Sequence, residues 1–289
     1  SSVVLLKEFE PKTALEAIVR ERVTTTFLTP PQLVSLLDYL HLDKYNTQSL
    51  RYILFGGIAL SPEVVKQAVA AFGNIFNNGY GLVEETPISI LPAKDMILEG
   101  SPQEVKRLAS CGREAINVEA RVVDDNGKDV IPGEIGEVIA RGDNMMKGYW
   151  KLPQLTEEIF RGGYLHTGDL ATIDEEGYIY LIGRKKDVIT SGGKAIHPVE
   201  VEEVIYHHPS VSEATVFGVP DDKLGEVAAA AIVVKDGEKV TSEELIELCR
   251  QNLPSYAVPS SVIVTDSLPR SPTGKVLRRL LQERHGLMK

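Results

Sequence analysis

The sequence predicts an α/β protein: a parallel sheet with flanking helices, then an antiparallel β section, then a small α+β domain at the C-terminal end. Three observations carry this. Short apolar runs alternate with amphipathic stretches of helical period through the first hundred residues. From about Asn117 that period gives way to short alternating runs separated by acidic-Gly turns. After Gly183 the character changes once more, to a basic turn followed by helical stretches and two apolar runs.

The elements follow in order. Val3 to Leu6 reads as a short buried strand, and Ala14, Leu15, Ile18 and Val19 recur at helical spacing behind a Pro11-Lys12-Thr13 start. Thr24 to Leu28 reads as a strand, followed by a helix carrying Leu33, Leu36, Leu37 and Leu40. Tyr52 to Phe55 is the next strand, followed by Val64, Val65, Ala68 and Val69 behind a Ser61-Pro62-Glu63 cap. Apolar strands separated by amphipathic helices favour a parallel sheet, whose ligands bind beyond the carboxyl ends of the strands. The loops after Phe55 and after the short strand Asn74 to Phe76 are therefore the places to look.

The antiparallel section is expected at Val118 to Val123, Glu134 to Ala140, Leu170 to Ile173 and Tyr178 to Ile182, with turns at Asp124–Gly127 and Asp174–Gly177. A helix is expected from Pro198 to His207, then runs from Ala214 to Val219 and Ala228 to Val234, a helix from Ser242 to Asn252 and a basic last helix. This gives a large domain over 1–186, with an α/β part to 116 and a β part over 117–186, and a small domain over 187–289.

Composition limits the function. A chain of 289 residues has room for a main domain and a smaller one. Its 31 Lys and Arg against 41 Asp and Glu give a net charge of −10, which argues against bulk attraction to nucleic acid or to an anionic membrane. Any phosphate site must be local. Cys111 and Cys249 lack metal-ligand spacing, so neither a disulfide framework nor a structural zinc is expected. The histidines form no metal-binding or catalytic pairing. The apolar start is too short to span a bilayer and lacks a basic leader region, so we expect a soluble, cytoplasmic protein.

Several constellations could carry chemistry, each with a plainer alternative. Gly56-Gly57 and Asn78-Gly79-Tyr80-Gly81 at adjacent strand ends would admit a flat ligand such as a purine, with Tyr80 stacking on it; otherwise they are tight turns beside a core tyrosine. Glu84 and Glu85 could bind Mg²⁺ or merely solvate a loop. Asp169, beside Gly168 and before a strand, suits the two hydroxyls of a ribose, or simply forms a turn. Gly183-Arg184-Lys185-Lys186-Asp187 is either a solvated basic turn or a phosphate and ribose contact. Ser191-Gly192-Gly193-Lys194 could let a thin ligand pass or could turn the chain. Pro269 to Lys275 lacks the leading glycine and the final hydroxyl of a P-loop, which leaves Lys275 on a loop before a helix, able to meet developing negative charge.

Taken together and in order, Asn78 to Glu84, Gly133 to Glu137, Tyr164 to Asp169, Gly183 to Glu202 and Pro269 to Arg278 resemble the successive signatures of the AMP-forming adenylate enzymes, most closely acyl- and aryl-CoA ligases. The resemblance covers essentially the whole chain and matches the second half of such enzymes. It implies that a carboxylate attacks the α-phosphate of Mg·ATP, and that a thiol, usually that of coenzyme A, then attacks the acyl carbon. By position, Tyr80 stacks on adenine against the backbone of Gly56 and Gly57, with Gly81 beside it. Glu84 binds magnesium, Asp169 takes the ribose hydroxyls with Arg184, and Lys275 bridges carboxylate and α-phosphate. Lys186 falls at a hinge about which the small domain turns, and Gly193 where the pantetheine arm passes.

Two departures accompany the resemblance. Val83 stands where the family has threonine, and the Ser/Thr/Gly-rich loop that cradles the outer phosphates is missing from the sequence. A fragment or shortened chain of a ligase is thus expected. The alternatives are a domain that loads a carrier protein's phosphopantetheine, and a non-catalytic nucleotide- or acyl-binding module. The acid is expected to be a small apolar acyl or aromatic one, since part of its pocket is expected near 55–58 and 77–79, Phe55, Ile58 and Leu82 are apolar, and no carboxylate is placed to hold an α-ammonium.

Overall fold

The computed structural model of the chain describes residues 2–39, 41–56, 60, 62–271 and 274–285. Gly57, Ile58, Leu40 and Ser61 thus lie outside the described residues. The chain forms two compact units, residues 1–167 with 171–181, and residues 168–170 with 182–289.

The first unit begins irregularly. Val3 to Leu6 form no strand and are exposed, which corrects the expectation of a buried one. An apolar run becomes a strand only where a neighbour takes its backbone hydrogen bonds, and among the described residues these have no ladder partner. The helices and the first parallel strands form as the periodicity predicts: α1 (Pro11–Glu21), β1 (Thr25–Leu28), α2 (Pro30–Leu37), β2 (Tyr52–Gly56) and α3 (Pro62–Phe72). Glu10 caps α1 by accepting from the Lys12 and Thr13 backbone N–H groups. Strand β3 (Phe76–Tyr80) runs parallel to β2, as β2 does to β1. The sheet is then extended by two antiparallel strands that periodicity did not reveal, β4 (Ser89–Leu91) and β5 (Arg113–Glu114), giving the order β1-β2-β3-β4-β5. Both are very short, too short for an alternating pattern to register. Between them lies α4 (Pro102–Lys106), capped by Ser101.

Leu15, Ile18, Leu33, Leu36, Val65 and Ala68 from the helices meet Ile53, Phe55 and Phe76 from the sheet in one apolar cluster. Phe76 contacts Phe55 and Phe72 edge-on, with ring centroids 6.3 and 6.1 Å away. Each such fully buried side chain contributes about 1.5–3 kcal/mol, so this cluster fixes where the ends of β2 and β3 sit.

A second sheet follows, of order β10-β9-β7-β6 with β8 beside β9, from β6 (Val118–Val123), β7 (Gly136–Gly142), β8 (Phe160–Arg161), β9 (Tyr164–Ile173) and β10 (Ile179–Arg184). The helix α5 (Pro153–Ile159) precedes β8. Strands β6 and β7 pair antiparallel, and the acidic-Gly turns at 124–127 and 174–177 close with Gly127 and Gly177 at φ +78° and +84°, where a side chain would be strained. Strand β9 begins six residues earlier than expected, so Asp169 lies within a strand, not before one.

The second unit is built on β11 (Ile189–Ser191), β12 (Lys194–Ile196), β13 (Val211–Asp221), β14 (Gly225–Val234) and β15 (Ser261–Val264), in the order β12-β11-β14-β13 with β15 against β14. Strand β14 shows why its sequence is continuously apolar. Ala228, Ala230 and Ile232 face a cluster with Val201 and Ile205 of α6 (Pro198–Tyr206) and Leu245 and Cys249 of α7 (Ser242–Asn252). Ala229 and Ala231 face the other way, into a cluster with Phe217 and with Leu281 of α8 (Arg278–His285). A strand covered on both faces has no polar side.

Candidate functional site

In the first unit, the site residues sit on a seam between two strands. Gly56 of β2 is in register with Gly79 of β3, and a Cβ on Gly56 would lie 2.2 Å from the Gly79 carbonyl oxygen. Gly56 therefore has to be glycine for the strands to approach, whereas a Cβ on Gly79 would meet only the tip of the Leu54 side chain, at 3.1 Å. The expected turn at 78–81 is instead the end of β3, which runs on through Tyr80. Lack of side-chain bulk here serves strand contact, and that reads like a turn signal in sequence. Tyr80, only 9% exposed, belongs to an apolar cluster with Ile88, Cys111 and Val138. Gly81 is equally confined: a Cβ there would stand 2.7 Å from Thr86 Oγ1 and 2.9 Å from the Glu85 carbonyl.

Beyond it a tight turn is closed by Leu82 N–H donating to Glu85 O at 2.8 Å and Glu85 N–H to Leu82 O at 3.2 Å. Val83, at its tip, is 99% exposed. The two following carboxylates, indistinguishable in sequence, differ completely. Glu84 is half-buried, and its Oε1 accepts from the Tyr149 hydroxyl at 2.5 Å. That bond, with burial second, pushes the Tyr149 pKa up to about 12. Glu85 does not solvate a loop: it is fully buried, with no hydrogen-bond partner on either carboxylate oxygen among the described residues, and burial raises its pKa. Among the described residues, no group of three or more His, Cys, Asp or Glu side chains could hold a metal by itself. Glu84 nevertheless fits Mg²⁺ of the kind carried by a nucleotide, which takes one or two carboxylates and completes its shell with phosphates and water.

In the second unit, charge does the placing. Asp169, 7% exposed, lies 2.9 Å (Oδ1) from Arg184 Nε. Gly168 before it has φ +69° and leaves the space beside its Cα open. Lys185–Asp187 form a 3₁₀ turn after β10, which places Lys186. Gly192 and Gly193 make the turn between β11 and β12, with φ +55° and +80° and the Gly192 N–H donating to Leu224 O at 2.8 Å. Lys194 beside them holds its ammonium 4.5 Å above the Tyr256 ring.

Lys275 stands on a loop closed by its own backbone. Ser271 N–H donates to Lys275 O at 2.8 Å, and Lys275 N–H to Ser271 Oγ at 3.1 Å. Arg270 Nη1 donates to Gly274 O at 2.7 Å, and Arg270 Nη2 to Glu213 of β13 at 2.5 Å. The Lys275 ammonium is held below the usual lysine range, first by loss of hydration and then by Arg184, with Lys186 acting the same way and Asp169 and Asp187 opposing. Lys275 thus shares one electrostatic neighbourhood with Asp169, Arg184 and Lys186, residues far from it in sequence.

Sequence reasoning missed the side chains that hold this loop: Arg270, Arg278, Glu202 and Glu213. One signal was available. Glu202 lies on the buried face of α6, beside Val201 and Ile205, where a carboxylate requires a partner.

A family model described as "AMP-binding enzyme" matches residues 1–150, and a second, "AMP-binding enzyme C-terminal domain", matches residues 200–275. A feruloyl-CoA synthase from an Amycolatopsis species is 35% identical over 285 residues, covering 99% of this chain and 56% of that protein. A long-chain-fatty-acid–CoA ligase from Bacillus subtilis is 36% identical over 282 residues, covering 97% of this chain and 49% of that protein. The solved structure of an amide bond synthetase from Marinactinospora thermotolerans matches with a TM-score of 0.86 at 36% identity, covering 98% of this chain and 57% of that one. The chain thus spans about half the length of the relatives it matches. Among the described residues, no helix is long and apolar enough to cross a membrane.

Proposed function

Because the chain belongs to the AMP-binding enzyme family, we propose that it carries the adenylate-handling half of an AMP-forming acid–CoA ligase. The observation that supports this most is the Asp169–Arg184 ion pair, which lies in the electrostatic surroundings of Lys275 together with Lys186. In the proposed reaction, a carboxylate oxygen attacks the α-phosphorus of ATP and pyrophosphate departs with the broken P–O bond. A thiol then attacks the acyl carbon and AMP departs. Neither step needs a nucleophile from the protein.

This chain's residues bind and orient. Asp169 accepts from the ribose hydroxyls, and Arg184 holds that carboxylate in place. In this reading the Lys275 ammonium bridges the attacking carboxylate and the α-phosphate, so that charge building on them meets a fixed cation. Incomplete hydration of that ammonium strengthens its pull on an anion. Tyr80 and the backbone of Gly56 form the adenine slot, with Gly81 letting the chain turn beside it; Gly57, assigned to the same slot by resemblance, lies outside the described residues. Glu84 would hold Mg²⁺ arriving with ATP, which neutralises phosphate charge. In this reading residues 187–289 turn about Lys186, and Gly193 flanks the pantetheine arm of coenzyme A. The names of the relatives, one aromatic and one fatty-acid ligase, support an apolar acyl or aromatic acid. Use of ATP and coenzyme A supports a cytoplasmic setting for the whole protein.

The test is Lys275→Ala in the longest form of the protein. Adenylation, followed as acid-dependent pyrophosphate release, falls by about 100-fold or more, whereas AMP binding stays within a few-fold. Undiminished release would overturn the assignment. Running coenzyme A, a phosphopantetheine-bearing carrier protein and a simple amine side by side then identifies the acceptor.

A further inference from the structure

The helix that follows Lys275 is anchored by one side chain. The Arg278 guanidinium opens α8 and reaches three separate elements of the second unit. Its Nε donates to the Val216 carbonyl of β13 at 3.1 Å, and its Nη2 donates to Glu202 Oε1 of α6 at 2.7 Å. Its Nη1 stands 3.5 Å from Asp187 Oδ2, in the turn that carries Lys186. Glu202 is buried, and the same Oε1 also accepts from the Val216 N–H at 2.8 Å. A planar fork is the one side-chain geometry that can satisfy a carbonyl and a carboxylate in divergent directions at once. Between Arg278 and Lys275 lie only Val276 and Leu277, and the Leu277 N–H is itself bonded to Pro269 O at 2.8 Å. Lys275 consequently cannot move far without breaking the contacts of Arg278.

We propose that Arg278 is a positioning residue for Lys275: by clamping the start of α8 to β13, to α6 through Glu202 and to the turn bearing Lys186, it makes lysine loop and turn a single body. The proposal rests on the assignment of Lys275 as the lysine of adenylation. It goes beyond that assignment in explaining why a lysine on a short, exposed loop keeps a defined place, and why a turn at Lys186 would carry the lysine with it.

The test uses the 289-residue chain with ¹³C-methyl-labelled lysines, titrated by NMR with and without AMP. In the parent chain, Lys275 titrates below the ordinary lysine range. In Arg278→Gln the clamp is lost, and Lys275 moves up to that range while the methyl signals of Lys194, held over Tyr256, keep their chemical shift. Glu202→Gln, which leaves Arg278 without its carboxylate, moves Lys275 the same way by a smaller amount. Arg278→Lys keeps the charge but not the fork, and does not restore the parent value. A merely structural role would disturb Lys194 and Lys275 together; that outcome, or an unchanged Lys275 in folded Arg278→Gln and Glu202→Gln, overturns the proposal. Added AMP raises the Lys275 titration in the parent chain. If AMP has no effect there while Arg278→Gln still releases the lysine, the adenylation assignment fails and the clamp stands.

Discussion

The seam of β2 and β3 in the first unit and the lysine loop in the second place functional groups by opposite means. At the seam, position is set by the absence of atoms: at Gly56 and Gly81 backbones come together so closely that a single methyl group would collide. At the lysine loop it is set by charged side chains, with Arg270 and Arg278 each reaching a carboxylate and a backbone carbonyl. The contrast teaches that a site built by shape tolerates little and answers weakly to solvent, whereas one built by charge responds to pH and salt. A rigid slot suits a planar base, and a charged loop suits a step in which charge develops.

The sharpest way to break the comparison is Gly56→Ala. Its Cβ would meet the Gly79 carbonyl oxygen at 2.2 Å, which backbone cannot yield without parting the strands. Urea unfolding should show a loss of about 3 kcal/mol, unchanged between low and high salt. A loss under 1 kcal/mol would mean that the seam is not close-packed. Next is Asp169→Asn, which leaves Arg184 facing an amide. A loss of about 2 kcal/mol is expected, and here the difference from the parent should shrink as salt is raised. Salt independence would remove the electrostatic half of the contrast.

The smallest effect concerns pH. The pKa of Lys275 is lower in the folded chain than in the unfolded one. Between those two values the unfolded chain holds a proton that the folded chain has shed, so stability rises with pH across that interval. The unfavourable contribution is fully present below the folded pKa and gone above the ordinary lysine value. Lys275→Met should therefore be the more stable variant at neutral pH and should have a flatter stability profile in the alkaline range. A parent profile already flat there would show that the ammonium is not crowded.

Much of the fold could be read directly. Helices α1, α2, α3, α6 and α7 and strands β1, β2, β6, β13 and β14 lie where their periodicity puts them, because each buries a face of its own and its pattern reports that burial. Where the reading failed, the cause was pairing. Val3 to Leu6 have the composition of a strand and, among the described residues, no neighbour, whereas β4 and β5 have neighbours but too few residues to show a pattern. Tyr80 and Asp169, expected next to strands, lie inside them. Glycine marks a turn and a close strand approach identically, and only the partner strand distinguishes the two.

Within the site, residue order alone specifies which groups are present: closely spaced glycines, a carboxylate beside glycine, a basic turn and a lysine before a helix. These are properties of residue type and local spacing, legible without any fold. Their surroundings are set by the folded chain. It buried Glu85 with no hydrogen-bond partner among the described residues while turning Glu84 toward Tyr149, and it brought Lys275 into the field of Asp169 and Arg184. It also joined Arg278 to Glu202 across two elements. Burial and charge pairing depend on distances between residues remote along the chain, and no local pattern encodes those distances.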